Sequence, residues 1–573
     1  MKSTCCVLLL GILILALSAF PQARADEIKD LQREIPRLMK EGRIPGLQIA
    51  VIRDGKIVWH QSFGVKSEAT GAPVTDETIF EAASLTKPLF AYYVMMLVDQ
   101  GAIDLDKPIV GYVPKDLVEK ALGHPLDQEG FHREWFEKIT TRQVLSHSSG
   151  MPHGEGGIPY PLLFEPGTKW RYSASGYEFL QKVVETIKGD KLENLMQKEV
   201  LDPLGMTRSC MVWRDDYEKN MANGHSFFGK PVDFRKRTEA ISSASLYTTA
   251  EDYATFVCAV LNGKGLRPET WNEMLTSQID MNKEKGLGWS LGFGTQDDAT
   301  GRAIWQWGDY GVFRNYIMAY PKEKYGVVYL TNSNNGLSIC SEVVARGIGA
   351  QATGCRELGY RPFDSLFYQM AWALKDGGPK AFAKLPEIQA TYPGELSVED
   401  ADFLNYVLQE DGLMPEATAV LEYNLSRHPR SGTARLALAR AYVAAEDLDR
   451  ARAMLEEVRT AAEDSVAPDL IVWNLDYIRA ARSPFKLKEA DLEKLAGDYG
   501  ARHVQIKDGA LYYLRDGGAY AEWRPLLPLS RDTFFIKGLP RFRMTFELDE
   551  TGVASKIVGR YETGEEDMTP RTK

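Results

Sequence analysis

Phe80-Glu81-Ala82-Ala83-Ser84-Leu85-Thr86-Lys87-Pro88 leads into the apolar run Leu89 to Val98, and its reading decides the fold of the first half of the chain. A helix starting near Ser84 puts Ser84 and Lys87 on one face, because positions i and i+3 are neighbours. The hydroxyl then lies at the positive end of the helix dipole, where a developing negative charge is favoured. A serine hydroxyl is a poor nucleophile near neutral pH and needs an adjacent base. A lysine can fill that role once burial or a nearby cation frees its amine. Ser-x-x-Lys alone is common on helices, so its company decides its meaning.

The 573 residues predict three or four domains. Hydrophobic residues make up 44% and charged residues 26%, the composition of an ordinary globular protein. The net charge of −11 comes without a long basic block, which argues against nucleic acid as a partner. Met1-Lys2, the apolar centre Val7 to Leu17 and Ala23-Arg24-Ala25 read as a signal peptide over residues 1–25. The expected mature chain starts at Asp26 and is exported to the periplasm or secreted; the other reading is a retained membrane anchor. No later segment has the ~20 continuous apolar residues of a spanning helix. Cys210, Cys258, Cys340 and Cys355 remain after processing, without metal-ligand spacing. Cys340 and Cys355 either pair or stay as buried thiols.

Gln48-Ile49-Ala50-Val51-Ile52 and Ile57-Val58-Trp59-His60 flank Arg53-Asp54-Gly55, a hairpin signal. Helical patterns dominate from Ser84 to about Leu201, and strand character returns at Gly326 to Thr331. Strands at both ends of a helical insert predict an α/β (α+β) unit whose ends meet in one antiparallel sheet. Residues 363 to 480 have helical periodicity. Pro415 to Glu422 matches Asp449 to Glu456 at an offset of 34 residues, the tetratricopeptide period, with generic helix-hairpin packing as the alternative. From about Leu487 the pattern is strand-like, with Ala510 to Leu514, Thr533 to Ile536 and Arg543 to Leu548 set between turn signals, which fits a small antiparallel sheet or barrel. The expected organisation is a signal peptide over 1–25, a catalytic domain over 26–355, a helical tetratricopeptide-like segment over 356–484 and a small β domain over 485–573.

Further stretches follow Ser84-x-x-Lys87 in order: Ile139 to Pro152 with His147, Phe164 to Tyr177 with Pro166-Gly167-Thr168 and Tyr172-Ser173-Ala174, and Pro203-Leu204-Gly205-Met206. With these, residues 30 to 350 resemble the serine hydrolases related to class C β-lactamases. That group includes penicillin-binding D,D-peptidases, D-aminopeptidases and family VIII esterases. The resemblance implies a β-lactamase/D,D-peptidase-like antiparallel sheet with a helical subdomain. It makes Ser84 the nucleophile, Lys87 its partner and Tyr172 the tyrosine sharing base duty. An ammonium near a phenol lowers the phenol's pKa and lets the pair hold one shared proton.

Two positions depart from the family pattern. Ala174 replaces the second motif's asparagine, and the third motif, usually Lys-Thr-Gly or His-x-Gly, appears as Gln306-Trp307-Gly308. Gln306 offers hydrogen bonds without charge. Gly308 lets the strand approach the substrate, and the family pattern makes the N–H groups of Ser84 and Asp309 the oxyanion hole. Trp307 lines the acyl pocket or packs in the core, and Asp309 has Arg314 as an alternative partner. His147 reads as structural, and Lys169 and Arg171 as solvated loop residues. The expected function is acyl-enzyme hydrolysis of an ester, peptide or β-lactam, with no metal or organic cofactor. The alternative is a penicillin-binding-like protein that holds a peptide or cell-wall fragment without turnover. The helical repeats offer a surface for a protein partner.

Overall fold

Leu47 to Ile52 alternate between two apolar environments, and that alternation builds the sheet of the first unit. The computed structural model describes residues 28–122, 126, 131–153, 162–459, 466–516, 522–562, 564 and 566–572. The expected signal peptide lies outside these described residues. The chain divides into two compact units between Gln369 and Met370.

In the first unit, β1 (Gly46–Arg53) and β2 (Lys56–Gly64) form the expected hairpin. Asp54 and Gly55 both have positive φ (51° and 69°), as a two-residue primed turn requires. Six further strands complete the sheet: β3 (Ile279–Asn282), β4 (Leu287–Trp289), β5 (Gly294–Asp297), β6 (Arg302–Asp309), β7 (Arg314–Tyr320) and β8 (Tyr325–Thr331). Their order is β2-β1-β8-β7-β6-β5-β4-β3, and the pairings are antiparallel. β1 pairs with β8 from Leu47↔Thr331 to Ile52↔Gly326, so the two ends of the unit meet as expected.

Both faces of the sheet are covered, which is why its central strands read as nearly unbroken apolar runs. Leu47, Ile49 and Val51 face a core with Val327 and Tyr329, closed by α1 (28–42). Ala50 and Ile52 face a second core, shared with α2 (Thr86–Asp99), α3 (Ala174–Lys188) and α4 (Ala250–Leu261). α5 (Cys340–Ile348) and α6 (Thr353–Glu357) bring Cys340 and Cys355 into the first core, where both keep free thiols.

The second unit holds α7 (Val398–Glu410), α8 (Met414–Arg427), α9 (Gly432–Ala444), α10 (Leu448–Val458) and α11 (Pro468–Arg482). Ala417 on α8 and Ala451 on α10, the matched positions of the 34-residue offset, are both buried, as small residues between packed helices must be. An eight-stranded antiparallel meander follows: β9 (Gly497–Tyr499), β10 (Arg502–Lys507), β11 (Ala510–Arg515), β12 (Arg524–Pro528), β13 (Thr533–Ile536), β14 (Leu539–Leu548), β15 (Ala554–Tyr561) and β16 (Glu566–Pro570). The Thr572 N–H donates to the Asp498 carbonyl at 2.7 Å, drawing the last strand to the first and nearly closing a barrel. Among the described residues no helix is long and apolar enough to cross a membrane.

Trp305, fully buried on β6, is fitted between two glycines. A Cβ on Gly294 or Gly354 would overlap its indole ring. Gly354 sits in α6 without a positive φ, so Gly354→Ala tests packing without backbone strain, against a helix-propensity gain of about 1 kcal/mol at most. It should destabilise the protein by about 1–3 kcal/mol, read by denaturant unfolding. A change within error would mean that the indole has room to move.

Candidate active site

Ser84 lies in a 3₁₀ turn (Ala83–Leu85), and the α-helix begins at Thr86, two residues later than the motif suggests. Ala83 has φ of 50°, a left-handed backbone that costs a non-glycine residue about 1 kcal/mol. Side-chain and backbone bonds hold that turn. The Thr86 hydroxyl donates to the Ala83 carbonyl (2.7 Å) and accepts from the Leu246 N–H (3.0 Å), and the Tyr253 hydroxyl donates to the Leu85 carbonyl (2.7 Å). The Ala82 N–H is tied to the Leu246 carbonyl (2.8 Å).

Lys87 is buried one turn along. Its Nζ donates to Ser84 Oγ at 3.2 Å and to the Ser243 carbonyl at 2.8 Å. Ser243 is a residue the sequence reading did not pick out. Its hydroxyl donates to Glu178 Oε1 on α3 (2.8 Å), which fixes the carbonyl that aims the amine. The signal was the serine-rich run Ser242-Ser243-Ala244-Ser245, unusual in a buried loop.

Tyr172 precedes α3, whose N-cap Ser173 accepts from the Gly176 N–H (3.1 Å). His147 grips the backbone on both sides of the tyrosine: its carbonyl accepts from the Arg171 N–H (2.8 Å) and its Nδ1 from the Ser173 N–H (3.1 Å). The structural reading of His147 thus acquires a task, which is to position Tyr172. Its ring is also 4.3 Å from the Tyr172 ring. Accepting at Nδ1 requires a neutral imidazole. Burial, then the charge of Lys87, then His153 hold its pKa well below the ordinary value.

Lys87 Nζ lies 4.8 Å from the Tyr172 ring centroid, so the amine approaches the ring face. Burial pushes the Tyr172 phenol up, and hydrogen bonds from Ser84 and Gln306 only partly offset it. This reverses the expectation of a phenol lowered by its lysine. The tyrosine holds its proton at neutral pH.

Gln306 is fully buried on β6. Its Nε2 donates to the Tyr172 hydroxyl (3.1 Å) and the Ser84 carbonyl (3.3 Å), and its Oε1 has no partner. The Trp307 ring is 4.5 Å from Tyr172 and 6.0 Å from Trp305, so this residue both walls the site and packs in the core. A Cβ on Gly308 would overlap the Ala82 carbonyl oxygen, which shows how closely β6 meets the serine turn. Asn315 on β7 tightens the same approach by donating to the Glu81 carbonyl (3.0 Å).

The Asp309 carboxylate is a structural group. It pairs with Arg314 (3.0 Å) and accepts from the Tyr360 hydroxyl (2.6 Å) and the Gly311 N–H (2.7 Å). Burial would raise its pKa, but Arg314 and these donors hold it below the ordinary value. Its backbone is placed differently. The Tyr310 N–H donates to the Phe313 carbonyl, and the register continues through Gly308↔Asn315. Hydrogen-bonded pairs alternate along an antiparallel ladder, so the Asp309 N–H turns away from β7. β5 covers β6 only up to Trp305. The Asp309 N–H therefore points off an uncovered edge, on the stretch of β6 against which the Ser84 turn packs.

Lys169 and Arg171, which flank Tyr172 in sequence, are exposed, as solvated loop residues are. Arg314 is buried and bonds Asp309 and the Asn334 carbonyl (2.5 Å). Ala174 begins α3 and carries no polar group toward the amine. Among the described residues no group of three or more His, Cys, Asp or Glu side chains is arranged to hold a metal ion.

The beta-lactamase family model matches residues 31–339, more than half of the chain, and this protein belongs to that family. A tetratricopeptide-repeat model matches residues 408–468. Esterase EstB of Burkholderia gladioli is 26% identical over 327 residues, covering 47% of this chain and 78% of that protein. Unguisins hydrolase ungD of Aspergillus violaceofuscus is 26% identical over 266 residues, covering 41% of this chain and 45% of that protein. Among solved structures, the octameric penicillin-binding protein homologue from Pyrococcus abyssi has a TM-score of 0.46 at 19% identity, covering 95% of this chain and 98% of that one.

The neutral histidine makes stability depend on pH. Unfolded, His147 takes up a proton below about pH 6.5; folded, it does not. The unfolded state then binds more protons, so stability falls as pH drops below that value, by up to about 1.4 kcal/mol per unit. His147→Asn, which tolerates the positive φ of 54° at this position, should flatten the slope between pH 6.5 and 5. Parallel unfolding curves for both proteins over that range would exclude this role.

Proposed function

We propose that this protein is a serine hydrolase working through an acyl-enzyme on Ser84. The observation that carries the reading is the 3.2 Å contact between Ser84 Oγ and Lys87 Nζ, with Gln306 linking Tyr172 to the same serine. Lys87, as the free amine, takes the Ser84 proton while Oγ attacks the substrate carbonyl. The N–H groups of Ser84 and Asp309 receive the oxyanion, each donor being worth on the order of 3 kcal/mol in comparable hydrolases. Tyr172 gives its proton to the leaving atom and regains one from Lys87. Water then repeats the sequence in reverse roles and releases the acid. The raised phenol supports this division of labour, since a protonated Tyr172 is an acid first and a base only after transfer.

The substrates proposed are esters and amides, small peptides included, with neutral groups at the position facing Gln306. The esterase and hydrolase among the relatives support that class. The second reading, binding without turnover, draws on Ala174 and on the uncharged Gln306. Export to the periplasm or outside the cell, after cleavage behind Ala25, belongs to the proposal, as does a protein partner for the helical repeats.

A fluorophosphonate probe should label Ser84 alone, as read by mass spectrometry of the modified peptide. Ser84→Ala should abolish both label and hydrolysis with the fold retained. Label elsewhere, or an active Ser84→Ala protein, would end the assignment. No label and no hydrolysis in the wild type would favour the binding reading.

Tyr172→Phe should lower kcat by about 10²–10⁴ with little change in the unfolding midpoint. Wild-type activity in that variant would remove tyrosine from the proton path.

Gln306 replaces a cation, and a charge-assisted hydrogen bond exceeds a neutral one by about 1 kcal/mol or more. A nitrophenyl ester should therefore be cleaved with a higher kcat/KM than a chromogenic cephalosporin. Gln306→Lys should improve the cephalosporin selectively, by roughly fivefold or more. A wild type that prefers the cephalosporin would mean that another cation fills the role.

A further inference from the structure

Within the second unit, a cavity of about 390 Å³ opens between the first turns of α11 and the outer face of the β14–β15 hairpin. That volume is within the range of small-molecule sites. The strand pattern explains its floor. Phe542, Met544 and Phe546 point into the barrel core, so Arg543 between them points outward. Arg560 is its direct cross-strand partner. Two like charges directly opposite each other on neighbouring strands repel, and such pairs are normally avoided.

The surrounding carboxylates do not resolve this repulsion evenly. Glu562 is bonded by Arg440, by Asn474 Nδ2 (2.8 Å) and, more distantly, by Arg541 (3.7 Å). Glu566 is bonded by Arg560 Nε (2.6 Å). Asp476 accepts from Arg479 at 2.8 Å and reaches Arg543 only at 3.9 Å. Arg543 is thus the least neutralised of these arginines, and its Nε has no acceptor. Burial lowers its pKa, with Arg560 adding to that and Asp476 opposing it.

The guanidinium is nevertheless held firmly. It lies 4.1 Å from the Trp473 ring centroid, and the indole Nε1–H donates to the Pro540 carbonyl (2.8 Å). A planar fork fixed on an aromatic shelf is suited to recognising a carboxylate through paired hydrogen bonds. Around it the lining combines Glu562 and Glu566, each held by an arginine, with an apolar side made by Leu470, Tyr561 and Val472, the last of these 54% exposed. Asp469, in the first turn of α11, supplies an acceptor on the same wall for an N–H beside such a carboxylate.

We propose that this cavity binds a carboxylate carried on an apolar body, with Arg543 as its principal cation and Arg560 as the second. The carboxylate relieves the arginine pair, and the apolar body covers Leu470, Val472 and Tyr561. A peptide C-terminus and a free organic acid both present this chemistry. The site is independent of Ser84 and of the proposed hydrolysis.

The test uses the full chain carrying Ser84→Ala, so that no probe is consumed. Isothermal titration calorimetry compares phenylacetate with phenylacetamide, and the tripeptide acetyl-Ala-Ala-Phe with its C-terminal amide. At least one acid should bind, roughly tenfold or more tighter than its amide. Arg543→Gln should weaken that acid by roughly tenfold or more. Val472→Glu, at an exposed position, should do the same without moving the unfolding midpoint, which keeps the test valid if Arg543→Gln folds poorly. Binding of the tripeptide alone identifies a peptide C-terminus as the source, and binding of phenylacetate alone a small acid. The proposal is overturned if acid and amide bind equally, if both substitutions leave affinity within about twofold, or if neither acid binds up to about 10 mM.

Discussion

The arrangement around Ser84 depends on how closely one strand meets one turn. Ala82 lies so near Gly308 that no side chain fits between them, and Asn315 draws the neighbouring Glu81 carbonyl to β7. That approach brings Gln306 to the Ser84 carbonyl and, through its other hydrogen bond, to Tyr172. It also leaves the Asp309 N–H at an edge that no other strand among the described residues uses. The Ser84 turn and β6, far apart in sequence, thus take their relative positions from this close approach, while His147 holds Tyr172 beside them. The strained φ of Ala83 is the local cost, held in place by the bonds of Thr86 and Leu246.

Around this contact the charges are arranged sparingly. Lys87 brings the amine that the serine sees, aimed by the Ser243 carbonyl. Tyr172 and His147 are both kept neutral by burial, one holding its proton and the other refusing one. Asp309 and Arg314 neutralise each other one strand turn away. Gln306 adds hydrogen bonds and no charge, so the field around a bound carbonyl comes from one amine and fixed backbone dipoles.

That Ser84, Lys87 and Tyr172 lie together was legible in sequence because each sits in a short, ordered signature: Ser84 to Lys87, and Pro166 to Tyr172. The hairpin at Asp54-Gly55 was legible because its turn chemistry is local. The pairing of β1 with β8 followed from strand signals at both ends of a helical stretch. Other features were hidden because they depend on distant segments. Nothing near Ser243 says that its carbonyl meets a lysine on another element, and nothing near His147 says which backbone it holds. The direction of the Tyr172 shift was misread because sequence gives the neighbouring charge but not the burial that outweighs it. The arginine pair of the second unit became visible only with the strand register, which sets Arg543 opposite Arg560.

The seam between β1 and β8 also bears on how this chain acquires its structure. Leu47 and Thr331 are partners, so without β8 the hairpin presents an unpaired apolar edge. Pairings of such long sequence separation form slowly, and open edges of this kind invite association with other chains. β6, which meets the serine turn, is joined to β1 through β7 and β8. A chain without that connection carries the Ser84 turn and the Lys87 helix without the strand that meets them. The cost of joining the two ends of this unit in one sheet is thus an apolar edge that stays open to other chains until the seam closes.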